Sequence, residues 1–172
     1  MQLISYKTEF SSYFDRPEVE RDMQKAVEAI KSSRSLFFLG NGGSNSICSH
    51  MMEDFMKLAG YPTYSFSDAA LITCYANDFG YDKAMAEWMK LFFTKDDLLV
   101  AISSSGESAN VINAVKYAKN KNGKVITLSA FRPANTLRSL GDINFHIDVE
   151  SYGIAECYHQ VILHIILDSL KD

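Results

Sequence analysis

The chain has 172 residues, 47% of them apolar, and a formal net charge of −4. That length suits one domain with a sizeable core. With 17 basic residues against 21 acidic ones and no basic cluster, a nucleic-acid partner held through its phosphates is argued against. Cys48, Cys74 and Cys157 form no CxxC pair, which speaks against a disulfide framework or a cysteine zinc site and reads all three as small buried apolar residues. The first residues lack a basic start and an apolar stretch behind it, and no run is long enough to span a bilayer, so the expected location is the cytoplasm, with no membrane partner.

Residues 1–32 offer two amphipathic segments. Leu3, Ile4, Phe10, Tyr13 and Phe14 mark the first, and Val19, Met23, Ala26, Val27 and Ile30 the second, with Asp15 the expected cap and Pro17 in the first turn. So many apolar residues ahead of the first strand imply a surface to cover, on the sheet or on another subunit. Leu36-Phe37-Phe38-Leu39 reads as a buried strand, followed at once by Gly40-Asn41-Gly42-Gly43-Ser44. Glycines there let the backbone approach a ligand closely, although a tight turn into a helix would use the same residues. The next helix, about 45–59, carries His50 and Asp54 four residues apart, hence roughly 40° apart on one face. This spacing serves a metal pair, a coupled acid and base, or a surface ion pair.

Thr63 to Phe66 is a short strand, and Ser67-Asp68 caps a helical run that ends at Asn77-Asp78-Phe79-Gly80, where Asn77-Asp78 reads as a turn. Tyr81 to Phe93 is a further amphipathic helix with Trp88 on its apolar side. Leu98 to Ile102 is an unbroken apolar run, the pattern of a strand buried on both faces. Ala109, Val111, Ile112, Val115 and Ala118 then mark a helix. Between them lies Ser103-Ser104-Ser105-Gly106-Glu107-Ser108, with four hydroxyls at the positive end of a helix dipole. One serine would be read as a cap, but four in six residues point to a phosphate cradle.

Val125 to Ser129 is another strand, Pro133 to Leu140 a short helix, and Ile143-Phe145-Ile147-Val149 an edge strand with His146 on its outward side. The last helix, about Ile154 to Leu170, places Glu156, Gln160 and His164 at four-residue steps and leaves His159 peripheral. The alternation of elements predicts an α/β fold, a three-layer αβα sandwich around a mostly parallel sheet of about five strands. Both ligand-binding turns would lie beyond the C-terminal strand ends, near the switch point of strand order.

Several of these stretches, in this order, resemble the sugar-isomerase (SIS) domain proteins, and among them the phosphoheptose isomerases. They are Gly40-Asn41-Gly42-Gly43-Ser44, His50-Met51-Met52-Glu53-Asp54, Asn77-Asp78-Phe79-Gly80, Ser103-Ser104-Ser105-Gly106 with Ser108-Ala109-Asn110-Val111, and the helix ending in His164. The resemblance implies a flavodoxin-like single SIS domain over 1–172, with helices 1–32 used in oligomerisation. It also implies a homotetramer with sites between subunits. The reaction implied is isomerisation of sedoheptulose 7-phosphate to D-glycero-D-manno-heptose 7-phosphate through an enediol, for lipopolysaccharide or capsule heptose. By the same resemblance Ser103, Ser104, Ser105 and Ser108 hold the phosphate, and Asn41, Gly42, Gly43, Ser44, Asn77, Asp78 and Glu156 contact the rest of the sugar. His50, Asp54, Glu156 and His164 stand where zinc is bound, and Asp54 and His164 where the proton-transfer pair stands.

The chain departs from the family in having Asp54 for the usual glutamate and Glu156 for the usual glutamine. Glu156 and His164 are also eight residues apart, about 12 Å along a straight helix. Either the helix starts after Glu156, or Gln160 takes its place, or zinc is held loosely. Two other readings stand beside the isomerase: a non-catalytic SIS module that binds a sugar phosphate or a protein, and an isomerase of another phosphosugar.

Overall fold

The structure, a computed structural model, describes residues 10 and 12–171. The expected packing of Leu3 and Ile4 lies outside the described residues. β1 (Leu36–Gly40), β2 (Thr63–Ser65), β3 (Leu98–Ser103), β4 (Lys124–Ala130) and β5 (Ile143–Ile147) form one sheet, parallel throughout, in the order β2-β1-β3-β4-β5. Its helices are α1 (Pro17–Lys31), α2 (Gly43–Ala59), α3 (Ala69–Phe79), α4 (Tyr81–Met89), α5 (Ala109–Asn120), α6 (Thr136–Leu140) and α7 (Tyr152–Asp168).

Every residue of β1 and β3 is buried, because helices cover both faces of the sheet. Strand alternation sorts the side chains. Leu36, Phe38, Val100 and Ile102 enter one core with Ala26 and Ile30 of α1, Met51 and Phe55 of α2, and Ile162 and Ile166 of α7. Phe37, Leu39, Leu99 and Ala101 enter the other with Met85 and Trp88 of α4 and Val111 and Val115 of α5. These are the three layers the sequence predicts, and α1 covers this chain's own sheet side, against α7 and β5. No helix among the described residues is long and apolar enough to cross a membrane.

From β1 the chain steps out to β2, then returns across β1 to β3 and onward. The β1/β3 border is therefore the switch point, where ligands of such sheets bind. Gly40 pairs with Ile102 there, so the turns that follow the two strands leave the sheet side by side.

Several boundaries and side chains differ from expectation. Asp15 is not a cap, since Arg16 holds the N-cap position without a side-chain bond and Pro17 opens α1. Asn77 and Asp78 belong to the last turn of α3 rather than to a free turn, because the backbone breaks only at Gly80. α4 ends at Met89, not Phe93. α6 starts only at Thr136, where Asn135 Oδ1 accepts from the Arg138 N–H at 2.9 Å. α7 begins at Tyr152 with Ser151 as cap, so the helix does not start after Glu156. Cys48 is buried, but Cys74 on α3 and Cys157 on α7 are exposed, because each projects from the side of its helix turned away from the core.

Candidate active site

After β3 the backbone turns at Gly106, whose φ of 68° is the left-handed conformation that glycine adopts without strain. The turn gathers hydroxyls: Ser103 Oγ lies 3.0 Å from Ser108 Oγ and 3.5 Å from Ser105 Oγ. Ser108 is the N-cap residue of α5, yet its side chain makes no capping bond. Its hydroxyl joins the cluster instead. Beside it a cavity of about 330 Å³ is lined by Asn41, Gly42, Gly43, Ser44, Ile102, Ser103, Ser104, Ser105, Ser108, Tyr152 and Glu156. No lysine or arginine is among the lining residues, so an anion seated there would be met only by neutral donors and the N-terminus of α5.

A pair of amides joins the two turns. Asn41 Nδ2 donates to Asn110 Oδ1 at 2.9 Å, Asn110 Nδ2 donates to Asn41 Oδ1 at 2.8 Å, and the Tyr81 hydroxyl donates to Asn41 Oδ1 at 2.9 Å. Asn41 thus belongs to the cavity wall with its side chain engaged in the scaffold. Buried Asn110, its partner, carries no role in the sequence reading. The available signal was an amide among the apolar positions at the start of α5. On the opposite wall the Glu156 carboxylate lies where a Cβ on Gly43 would be, so only glycine lets α7 come this close.

A second cluster forms where α2 packs on α7. Asp54 Oδ2 is 3.3 Å from His50 Nε2 and 3.8 Å from His164 Nδ1, and the two imidazole centroids are 5.5 Å apart. Donor atoms of all three residues lie within 4.8 Å of one another, close enough to hold one metal ion. Glu156 is outside this group, two turns earlier on α7. The structure therefore divides the four expected metal residues into a trio and a cavity carboxylate. Gln160 Nε2 lies 2.8 Å from His164 Nε2 and 2.9 Å from Met51 Sδ, which makes Gln160 a support for the histidine. Glu53 turns outward to Lys57 at 3.6 Å.

Other expected residues fall elsewhere. Asn77 and Asp78 are exposed on α3, Asn77 Nδ2 donating to Asp78 Oδ1 at 2.9 Å, and neither lines the cavity. His146 is half-buried rather than outward, its Nδ1 3.2 Å from Ser129 Oγ, because a helical layer covers this edge strand. His159 is not peripheral: it is fully buried, and neither ring nitrogen has a hydrogen-bond partner in good geometry among the described residues. Burial pushes its pKa down to about 4, opposed by the nearby Ser129 backbone.

The parallel sheet runs 2-1-3-4-5 with a cluster of hydroxyls at its switch point, and the SIS domain model matches residues 15–130. The chain belongs to the SIS domain family. It is 32% identical to the phosphoheptose isomerase of Fusobacterium nucleatum, over 99% of this chain and 94% of that one. It is 33% identical to the phosphoheptose isomerase of Buchnera aphidicola, over 89% and 83% respectively. The phosphoheptose isomerase structure from Neisseria gonorrhoeae superposes with a TM-score of 0.89 at 22% identity, over 98% of this chain and 95% of that one. Within the SIS domain proteins, the family is that of the phosphoheptose isomerases.

Proposed function

We propose that the chain is an aldose–ketose isomerase that converts sedoheptulose 7-phosphate to D-glycero-D-manno-heptose 7-phosphate, a heptose precursor for lipopolysaccharide or capsule, in the cytoplasm. The observation that carries the reading is the Asp54 carboxylate held between two imidazoles, on helices whose scaffold also builds the serine cavity. Ser103, Ser104, Ser105 and Ser108 seat the phosphate, so that binding energy far from the reacting carbons orients the sugar. Asp54 takes the proton from the carbon beside the carbonyl and returns it to the neighbouring carbon, and His164 serves the oxygens. With the Gln160 amide donating to His164 Nε2, the imidazole proton sits on Nδ1, facing Asp54. That is the tautomer an acid at this place needs.

Two imidazole nitrogens and a carboxylate oxygen are also a donor set that suits zinc with one open position. His50, Asp54 and His164 would hold the ion; His164 would then give up its Nδ1 proton, and the Gln160 amide would turn so that its oxygen accepts from the Nε2–H. Zinc bound there would polarise the sugar carbonyl as a Lewis acid.

Asp54 and His164 are not among the residues that line the serine cavity, and Asn77 and Asp78 stand on α3, a helix none of whose residues is buried within the chain. Both facts support a homotetramer whose sites are completed by a neighbouring copy, with α3 at the contacts. The reading is tested by incubating purified protein with sedoheptulose 7-phosphate under an aldose-specific readout. Wild type is expected to turn over, and Asp54→Asn and His164→Ala to lose at least about a hundredfold in kcat. Wild type inert with and without added zinc would leave a non-catalytic sugar-phosphate module in its place.

A further inference from the structure

On charge alone Glu107 is out of place, since it puts a carboxylate into the six-residue turn that is to seat a phosphate dianion. The structure turns that carboxylate away. Glu107 Oε1 accepts from the Thr136 backbone N–H and Glu107 Oε2 from the Thr136 hydroxyl, both at 2.8 Å, at the first residue of α6. Glu107 is accordingly absent from the residues lining the cavity, although its neighbours Ser105 and Ser108 are present.

The same segment grips the turn at further points. Ala130 N–H donates to the Ser104 carbonyl and Leu137 N–H to the Gly106 carbonyl, each at 2.9 Å, and the Asn135 side chain fills the space where a Cβ of Gly106 would be. Asn135 is in turn held from below, its Nδ2 donating to Ser129 Oγ at 3.1 Å and to the Arg132 carbonyl at 2.9 Å. The link between β4 and α6 is therefore a brace behind the serine turn, and Glu107 is the only side chain of the turn that reaches out to it among these bonds.

We propose that Glu107 is a positioning residue for phosphate binding: its two-pronged hold on Thr136 bolts the serine turn to the start of α6 and fixes the spacing of the hydroxyls that face the cavity. This rests on reading that cavity as the phosphate seat. Charge and clamp predict opposite signs when the carboxylate is removed. Loss of a screened negative charge would tighten anion binding slightly, whereas loss of two charge-assisted bonds lets the turn relax and weakens it. Because both bonds end on one residue, the clamp outweighs the repulsion.

The test measures inorganic phosphate binding by calorimetry at fixed ionic strength, beside KM and kcat for the sugar phosphate. Glu107→Ala is expected to weaken phosphate about tenfold and to raise KM in step, with kcat at saturation within about twofold of wild type. Glu107→Gln, whose amide can accept the Thr136 N–H and donate to its hydroxyl oxygen, is expected to stay within about threefold of wild type. Thr136→Val should weaken binding by an intermediate amount and add little on top of Glu107→Ala. Phosphate binding by Glu107→Ala as tight as wild type or tighter overturns the clamp, as does equal weakening by Ala and Gln. Wild type that binds no phosphate overturns the cradle, and the clamp with it.

Discussion

Glu156 brings a negative charge into the wall of the cavity proposed to seat the phosphate, the opposite arrangement to Glu107. Its carboxylate lies against Gly43, with no lysine or arginine among the lining residues to offset it. An unscreened charge a few ångströms from a dianion is a sizeable repulsion, and one at the surface of an open cavity a modest one. Glu156→Gln is therefore expected to tighten inorganic phosphate binding about three- to tenfold at low ionic strength, the gain shrinking as salt is added. Calorimetric titration at two salt concentrations reads both parts. Unchanged affinity at low salt would mean the carboxylate does not face the anion.

At the scale of elements, α7 lays out three polar residues that its sequence presents alike. Glu156 reaches the cavity, His164 meets Asp54, and His159 points into the core. His159 stands four residues after Ala155 and three before Ile162, both fully buried, so helical periodicity already placed it on the inner stripe. Its lack of alignment with Glu156 and His164, which suggests a peripheral place, speaks only to which stripe those two share. The strands and the serine turn were legible because each is a local pattern, an apolar run or a cluster of hydroxyls before a helix. The separation of Glu156 from the Asp54 trio and the Asn41–Asn110 amide pair were not, since both depend on how helices distant in sequence come together.

Buried His159 also gives the fold a pH dependence whose sign follows from its burial. Its pKa drops from 6.5 unfolded to about 4 folded, so between those values the unfolded chain binds the extra proton. The contribution is fully present above about pH 6.5 and is lost as pH falls toward 4, to the extent of about 3 kcal/mol. Half-buried His146, also pushed down by burial, adds a slope of the same sign. Urea unfolding at pH 7 and pH 5 is expected to show the loss, and His159→Phe to flatten the slope. A variant as pH-sensitive as wild type would assign the effect to other groups.

At the scale of the whole molecule, α3 is an element that its own chain covers only in part. Its Leu71, Ile72 and Tyr75 pack in part against the second core, but none of its residues is fully buried, and Phe79 is 46% exposed with Tyr81, two residues on, 54% exposed. A helix of 11 residues is marginal in water without packing, and this one is covered by its own chain on one side only. Its outward side also carries Asn77 and Asp78, polar residues without a place in this chain's own cavity. A neighbouring copy seated on α3 would cover the apolar surface and carry these two residues to a second site in one step. Ala70→Arg, on the exposed side of α3 and away from both clusters, separates the two consequences. Sedimentation velocity is expected to show a smaller species than wild type, circular dichroism an unchanged fold, and the isomerase assay a kcat reduced at least about tenfold, because an incomplete site misplaces the substrate. A wild type that sediments as an active monomer would remove the need for a second copy, and the cavity and the Asp54–His164 pair would then have to meet within one chain.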